Sequence, residues 1–171
     1  MATSSAIDTR HVAGRRKLRF ARIEDALAEC ERLAAADRAG KARCLGNWTL
    51  GQIFGHLAVW VEFAYRDIPL QIPFWLRWMG PLMKRRVVHH AMPAGSNIPG
   101  VPRGTLGKKQ FTVEAGLERY RQALTRLQSE PPAKPHPLFG RMTHDQWIGL
   151  HLRHAELHLS FVTVCGDGDG S

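Results

Sequence analysis

The chain has 171 residues, of which 44% are hydrophobic and 23% are charged, as in an ordinary globular domain with its own core. It lacks any apolar run of about 18 residues, which excludes a membrane-spanning helix. The formal net charge is +9. No helix-turn-helix, zinc-finger or RNA-binding pattern accompanies the basic residues. We therefore interpret the charge as a solvated surface or as attraction for an anionic small substrate, and we expect no nucleic acid partner.

The three cysteines, Cys30, Cys44 and Cys165, are an odd number without CxxC spacing, which is typical of reduced thiols in the cytoplasm. The pair Arg15-Arg16 is followed by more basic residues and not by an apolar segment, so we expect no secretory or twin-arginine signal. We predict a cytoplasmic protein with three parts. They are a flexible basic arm over residues 1–17, a helical domain over residues 18–165 and a disordered tail over residues 166–171.

The first two helices are predicted from apolar stripes and capping signals. Residues 23–37 carry apolar side chains three and four positions apart, with acidic residues near the start, as expected of an amphipathic helix. Thr49 and Gln52 form a capping box, which marks the start of the second helix. His56 lies beside the apolar stripe of that helix, one turn from Trp60, so we expect its imidazole to be buried.

Six prolines and five glycines interrupt residues 67–111, a composition that excludes long helices there. We predict a long Pro-rich crossover between the second and third helices. Within it, residues 74–79 and 82–88 could form a kinked amphipathic helix with aromatic and basic side chains. That helix could lie on a membrane surface or cover one end of the domain, and we favour the second interpretation.

Two further helices complete the predicted domain. The third spans residues 113–128, and the fourth begins at a capping box of Thr143 and Gln146 and extends to about residue 164. No stretch shows a convincing strand pattern, including the basic loop over residues 37–46. The sequence therefore predicts an all-α fold, a four-helix bundle with its long connection between helices 2 and 3.

The predicted fourth helix has histidines at positions of its buried face where apolar residues are expected. At alternating spacings of four and three, this seam contains Trp147, His151, His154, His158, Phe161 and Cys165. A polar group that is buried there without a partner costs about 1–3 kcal/mol. Because His154 and His158 are four residues apart, they lie one turn apart on the same face, and a shared divalent metal would satisfy both.

A third ligand is expected from a facing helix, and His56 is our candidate. His151, one turn before His154, is the rival, which we favour as a pocket-lining residue because three ligands from one helix face have poor geometry. Three imidazoles leave a position for water or substrate, as in a catalytic zinc site. We expect zinc or nickel first and iron or manganese next, since imidazole suits them all. A water or substrate thiol at that metal would act as the nucleophile.

Each of these residues also has a purely structural interpretation. The buried histidines could be hydrogen-bonded core residues without any metal. Trp60, Trp147 and Phe161 could wall a pocket or simply fill the core. Arg153 and Glu156 flank the seam, and we predict that they face solvent or each other's neighbours.

Several motifs resemble a bacterial family of unknown function that is related to DinB. They are Gly46-Asn47-Trp48-Thr49-Leu50-Gly51-Gln52 before His56-Leu57, His136-Pro137-Leu138-Phe139-Gly140, Gln146-Trp147, and His151-Leu152-Arg153-His154 through to His158-Leu159-Ser160-Phe161. The resemblance covers roughly residues 15–165. It implies a DinB/YfiT-like four-helix bundle in which one histidine of the second helix and two of the last helix bind a divalent metal. His56, His154 and His158 occupy the matching positions.

Relatives in that superfamily include thiol-dependent S-transferases and a maleylpyruvate isomerase that use low-molecular-weight thiols. The resemblance therefore implies a metal-dependent enzyme that acts on a small molecule by transfer or isomerisation with a small thiol. The alternative is a non-catalytic metal-binding or stress-response module, so enzymatic activity stays open at this point. Bundles of this kind often pair through helix faces, which makes a homodimer a further expectation.

Overall fold

The computed structural model describes residues 7–66, 74–95 and 109–166. Within these ranges the protein is mainly helical, with five α-helices, a 3-10 turn and one two-stranded sheet. In chain order the elements are the 3-10 turn Thr9–His11, α1 Ile23–Arg38, β1 Ala42–Cys44, α2 Leu50–Glu62, α3 Phe74–His89, α4 Val113–Ser129, α5 His144–Leu159 and β2 Val162–Val164. Across these ranges, every helix falls short of the length and apolar content that a membrane span needs.

The capping boxes predicted for α2 and α5 are confirmed. The Thr49 hydroxyl accepts a hydrogen bond from the Gln52 backbone N–H at 3.3 Å, and the Gln52 side chain accepts one from the Thr49 N–H at 2.9 Å. Thr143 and Gln146 make the same reciprocal pair at 3.2 and 3.1 Å. Each box satisfies backbone donors that a helix start leaves without partners, so both helices begin where the sequence placed them.

The predicted helical class is confirmed at a coarse level, because α1, α2, α4 and α5 contribute to one core. Its largest fully buried side chains are Leu33, Leu50, Phe54, Leu57, Tyr120, Leu124, Leu127 and Leu159. Helices α2 and α4 approach closely through glycine, since a Cβ on Gly116 would lie 2.8 Å from the carbonyl oxygen of Gly51. The finer assignment to a DinB-like four-helix bundle stays a prediction.

The predictions that the chain has no strand and that the last helix runs to about residue 164 are wrong. Helix α5 ends at Leu159, and β2 then pairs antiparallel with β1, with Cys44 opposite Val162. The Val-Thr-Val sequence of β2 is β-branched, which favours an extended backbone once a partner strand is present. Cys165, which we predicted on the helical seam, follows β2 and is exposed.

The prediction that residues 67–111 exclude long helices is wrong for α3, which has 16 residues and contains Pro81. This helix runs through both pieces of the predicted amphipathic segment. Tertiary packing explains why it tolerates proline, because Gly80 lies so close to Leu138 that a Cβ would collide with the Leu138 carbonyl group. The parts of the predicted crossover that lie outside the described residues are 67–73 and 96–108.

Arg153 and Glu156 do not face solvent, which was the first of the two environments that we predicted for them. Their side chains are only 3% and 5% exposed, and 2.8 Å separates Arg153 Nη2 from Glu156 Oε1. The segment before α1 covers them. Phe20 donates its backbone N–H to Glu156 Oε1 at 2.5 Å, and its carbonyl accepts a hydrogen bond from Arg153. These partners lie more than a hundred positions apart, so helical periodicity cannot reveal the contact.

Candidate metal centre

Helices α2 and α5 bring three histidines, His56, His154 and His158, to one place inside the protein. His56 lies near the middle of α2 and is 2% exposed, whereas His154 and His158 lie in the last two turns of α5 and are partly buried. The four-residue spacing on α5 stacks its two imidazoles on the side that faces α2. We call these three residues the histidine triad.

The nitrogens of the triad converge. His154 Nε2 lies 3.2 Å from His56 Nε2 and 3.0 Å from His158 Nε2. Three imidazole nitrogens that each lie about 2.1 Å from one ion are separated from one another by roughly 3.0–3.4 Å. The two observed separations fit that requirement, so the triad could hold a metal ion.

Burial keeps two of these imidazoles neutral. It lowers the pKa of His154 well below the ordinary histidine value, and the neighbouring His158 and His56 lower it further. Burial likewise lowers the pKa of His158, helped by the nearby His56 and by the positive charge of Arg15. A neutral imidazole can present a nitrogen lone pair to a cation, and a protonated one cannot, so these two histidines have the protonation state that a metal requires.

Two tryptophans line the triad. The Trp48 ring is stacked on the His158 ring, with centroids 5.2 Å apart and planes 12° apart, and its centroid is 4.6 Å from that of His56. Trp60, one of our candidate pocket residues, presents an edge to His154 at a centroid distance of 5.7 Å. Sequence reasoning missed Trp48, because it precedes the N-cap of α2 and no helical periodicity marks it. The available signal was its position in the motif before Thr49.

The basic arm supplies a cation near the triad. Arg15 donates from Nη2 to Ser160 Oγ at 2.8 Å, and its Cζ lies 4.2 Å above the centroid of the Phe161 ring. Phe161, another candidate pocket residue, therefore lies beneath Arg15 at the end of α5. Of the predicted arm and tail, residues 1–6 and 167–171 lie outside the described residues.

The remaining candidates, Trp147 and His151, form a separate cluster with His136. The Trp147 and His151 rings are stacked with centroids 6.0 Å apart, and Trp147 lies 5.4 Å from the His136 ring. Burial lowers the pKa of His151 to about 3 and that of His136 to about 4. His151, the rival third ligand, does not belong to the group that could hold an ion, so the structure places His56 in that position.

Residues 12–164 match the sequence profile of a family described as "Protein of unknown function (DUF1569)". The chain belongs to this family. The comparison with curated proteins found no match, and neither did the comparison with solved structures. The matched range contains the histidine triad, Trp48 and Arg15, so the whole candidate site lies in the part of the chain that the DUF1569 family shares.

Proposed function

We propose that this chain is a divalent-metal-dependent enzyme of the DinB-like superfamily, with His56, His154 and His158 as the metal ligands. The observation that carries the proposal is the meeting of three Nε2 atoms from two helices at separations that suit one ion. Two neutral imidazoles can share one N–H···N hydrogen bond, whereas a single ion accepts the lone pairs of all three nitrogens at once. The motif resemblance and the helical class support the same conclusion.

Zinc or nickel is the metal we propose first, with iron or manganese as the alternatives. In the part of the chain that the structure describes, the ligand group consists of imidazoles alone. Imidazole is a good ligand for these transition metals, whereas magnesium and calcium prefer oxygen ligands. A three-histidine site also leaves a coordination position for a small molecule.

The chemistry that such a cation supplies is a lowered pKa for a water or thiol that binds to it. The surrounding side chains would position the substrate. Trp48 and Trp60 shield the triad from water on two sides, and Arg15 offers a fixed positive charge near His158. A cation held in place by Ser160 suits an anionic group on the substrate, as in a small acid.

A small thiol is the co-substrate that we propose. In an S-transfer reaction, the thiol sulfur forms a bond to an electrophilic carbon, the leaving group departs with the electron pair of the broken bond, and the thiol proton passes to solvent. In an isomerisation, the same sulfur adds to the substrate and is later eliminated, so that the thiol is regenerated.

Elemental analysis and a thiol-transfer assay, both on protein purified without a histidine tag, test this function. We expect about one metal ion per chain, and metal-dependent consumption of a low-molecular-weight thiol in the presence of an electrophile. His56→Ala should lose both. His90→Ala, which changes an exposed histidine just after α3, is the matched control and should retain both. A folded wild-type protein that binds no added metal would refute the proposal.

A non-catalytic metal-binding module is the second candidate. The observation that favours it is the aromatic packing, because the Trp48 ring is stacked on His158 and tilted against His56, which leaves less room for a substrate. Stoichiometric metal without turnover, against a panel of thiols and electrophiles, would support this second function over the enzyme.

A further inference from the structure

The outer face of α3 combines exposed apolar side chains with exposed arginines. Phe74, Trp78 and Leu82 follow one another at four-residue spacing and are 78%, 82% and 82% exposed. Arg85 and Arg86 continue the exposed surface one turn further on. The apolar stripe is about 12 Å long, because eight residues of helix rise about 1.5 Å each. We call these five residues the α3 face.

Packing on the other sides of the helix holds the α3 face outward. Gly80 lies against the Leu138 carbonyl group, and Val88 is buried against Gly149 of α5, where a Cβ would lie 2.9 Å from the Val88 side chain. With about 3.6 residues per turn, Gly80 lies nearly opposite the apolar stripe, and Val88 lies on its flank. A rotation that buried the stripe would break both contacts.

The charged side chains of α3 itself all have one sign. The sequence from Phe74 to His89 contains no aspartate or glutamate. Lys84 of α3 donates a hydrogen bond to the Arg141 carbonyl at 2.8 Å. Arg19, from the segment before α1, donates to the His89 carbonyl at 3.1 Å and so adds a further cation at the end of the helix. The nearby acidic residues, Asp25 and Asp145, line a cleft with Val88 on the inner side of the helix.

This combination fits an anionic surface that also accepts apolar groups. Phe and Trp partition into the boundary between lipid headgroups and acyl chains, and arginine binds phosphate. A second copy of the chain fits less well, because its α3 face would bring more arginine and no carboxylate, and the whole chain carries a net charge of +9.

We propose that the α3 face docks the protein on the surface of an anionic phospholipid bilayer. Phe74, Trp78 and Leu82 enter the headgroup boundary, and Arg85 and Arg86 contact lipid phosphate. The helix lies along the surface and does not cross it. This docking is independent of the metal centre, which lies between α2 and α5.

Vesicle co-sedimentation of the full chain tests the proposal. We expect binding to vesicles of phosphatidylcholine mixed with phosphatidylglycerol, little binding to phosphatidylcholine alone, and release by salt. Each basic residue at an anionic surface contributes about a fivefold factor, so Arg85→Gln with Arg86→Gln should weaken partitioning about 30-fold. Trp78→Ser with Leu82→Ser should also weaken it. Both pairs are exposed, so circular dichroism should show unchanged folding.

The matched control is Lys41→Gln with Arg43→Gln, which removes the same charge from exposed residues on and beside β1. This variant should retain most of the binding. Equal losses from the two double variants would mean general charge attraction and would overturn the assignment to α3, as would the absence of binding to anionic vesicles. Light scattering adds a third readout. A dimer that Trp78→Ser with Leu82→Ser dissociates, without vesicle binding, would assign the face to a second copy instead.

Discussion

Helix α5 carries two kinds of buried histidine, and they differ in where their nitrogens point. His154 and His158 direct Nε2 towards each other and towards His56 on α2. One turn earlier, His151 is stacked on Trp147, and its Nε2 is buried without a hydrogen-bond partner in the described structure. Its neighbour His136 instead accepts hydrogen bonds at Nδ1 from two backbone N–H groups of its own loop.

The comparison separates two properties of a buried histidine, which are its neutral charge state and the direction of its ring nitrogens. Burial lowers the pKa in both clusters, so His151 and His154 are both neutral near pH 7. Neutrality is necessary for a ligand, but it does not create a site. Only the triad has nitrogens from two helices at one point, and that convergence is the property that a metal requires.

The largest expected effect comes from changing a histidine of the triad, and a histidine of the other cluster serves as the control. His154→Ala removes the nitrogen that contacts both other ligands, so we expect metal content to fall from about one ion per chain to a small fraction. His151→Ala, on the same helix, should leave the stoichiometry unchanged. Elemental analysis of both untagged variants measures this. Loss of metal in both, with folding intact, would mean that the clusters form one site.

Removal of the metal should lower stability in the wild type but not in His154→Ala. A ligand present at about 100 times its dissociation constant stabilises a protein by about 2.7 kcal/mol, so a strong chelator should lower the melting temperature by roughly 5–10 °C. Differential scanning calorimetry measures the shift. His154→Ala should melt at the same temperature with and without chelator, and a chelator shift of equal size in that variant would contradict the assignment.

Acid should destabilise the protein, and His151 should account for a measurable part of the loss. Burial lowers the pKa of His151 from 6.5 to about 3. Between pH 6.5 and pH 3, this histidine is protonated in the unfolded chain and neutral in the folded chain. The full free energy of unfolding is therefore present above pH 6.5, and it decreases as the pH falls towards 3. By pH 5 this histidine alone should cost about 2 kcal/mol.

Urea unfolding at pH 7 and pH 5 measures that loss. His151→Leu has no proton to take up, so the difference between the two pH values should be about 2 kcal/mol smaller than in the wild type. His136 should still contribute to the remaining difference, since burial lowers its pKa to about 4, and so should His154 and His158, whose pKa values burial also lowers. An unchanged difference in the leucine variant would show that His151 is protonated in the folded protein.

The smallest expected effect concerns the wall of the triad. Trp48→Ala removes the ring that is stacked on His158 and frees that imidazole to rotate, so metal affinity should fall about tenfold while the stoichiometry stays the same. Competition with a fluorescent chelator measures the dissociation constant. Trp78→Ala, which changes an exposed tryptophan, should have no such effect, and equal affinity in both variants would remove Trp48 from the site.

Local signals in the sequence were sufficient for the helix starts and for the phase of the triad. The capping boxes at Thr49 and Thr143 act within three residues, so they work in the same way wherever the helix is placed. The spacing of His154 and His158 is likewise a property of one helix. The expectation that His56 completes the group needed only the further assumption that the two helices face each other.

Contacts between distant segments could not be predicted from the sequence. Helical periodicity continued past residue 159, but the backbone turned there into β2 because a partner strand lay more than a hundred residues earlier in the chain. The same reason explains the burial of Glu156, because the segment that covers it contains Phe20, which is more than a hundred residues away in the chain.

The sequence by itself determined where α2 and α5 begin and which residues share the face of each, since caps and helical spacing act over only a few positions. The tertiary structure alone decided that Trp48 and Arg15 join the triad's surroundings and that Phe74, Trp78 and Leu82 stay uncovered. Such outcomes depend on which surfaces meet after folding, and no interaction between near neighbours in the chain encodes them.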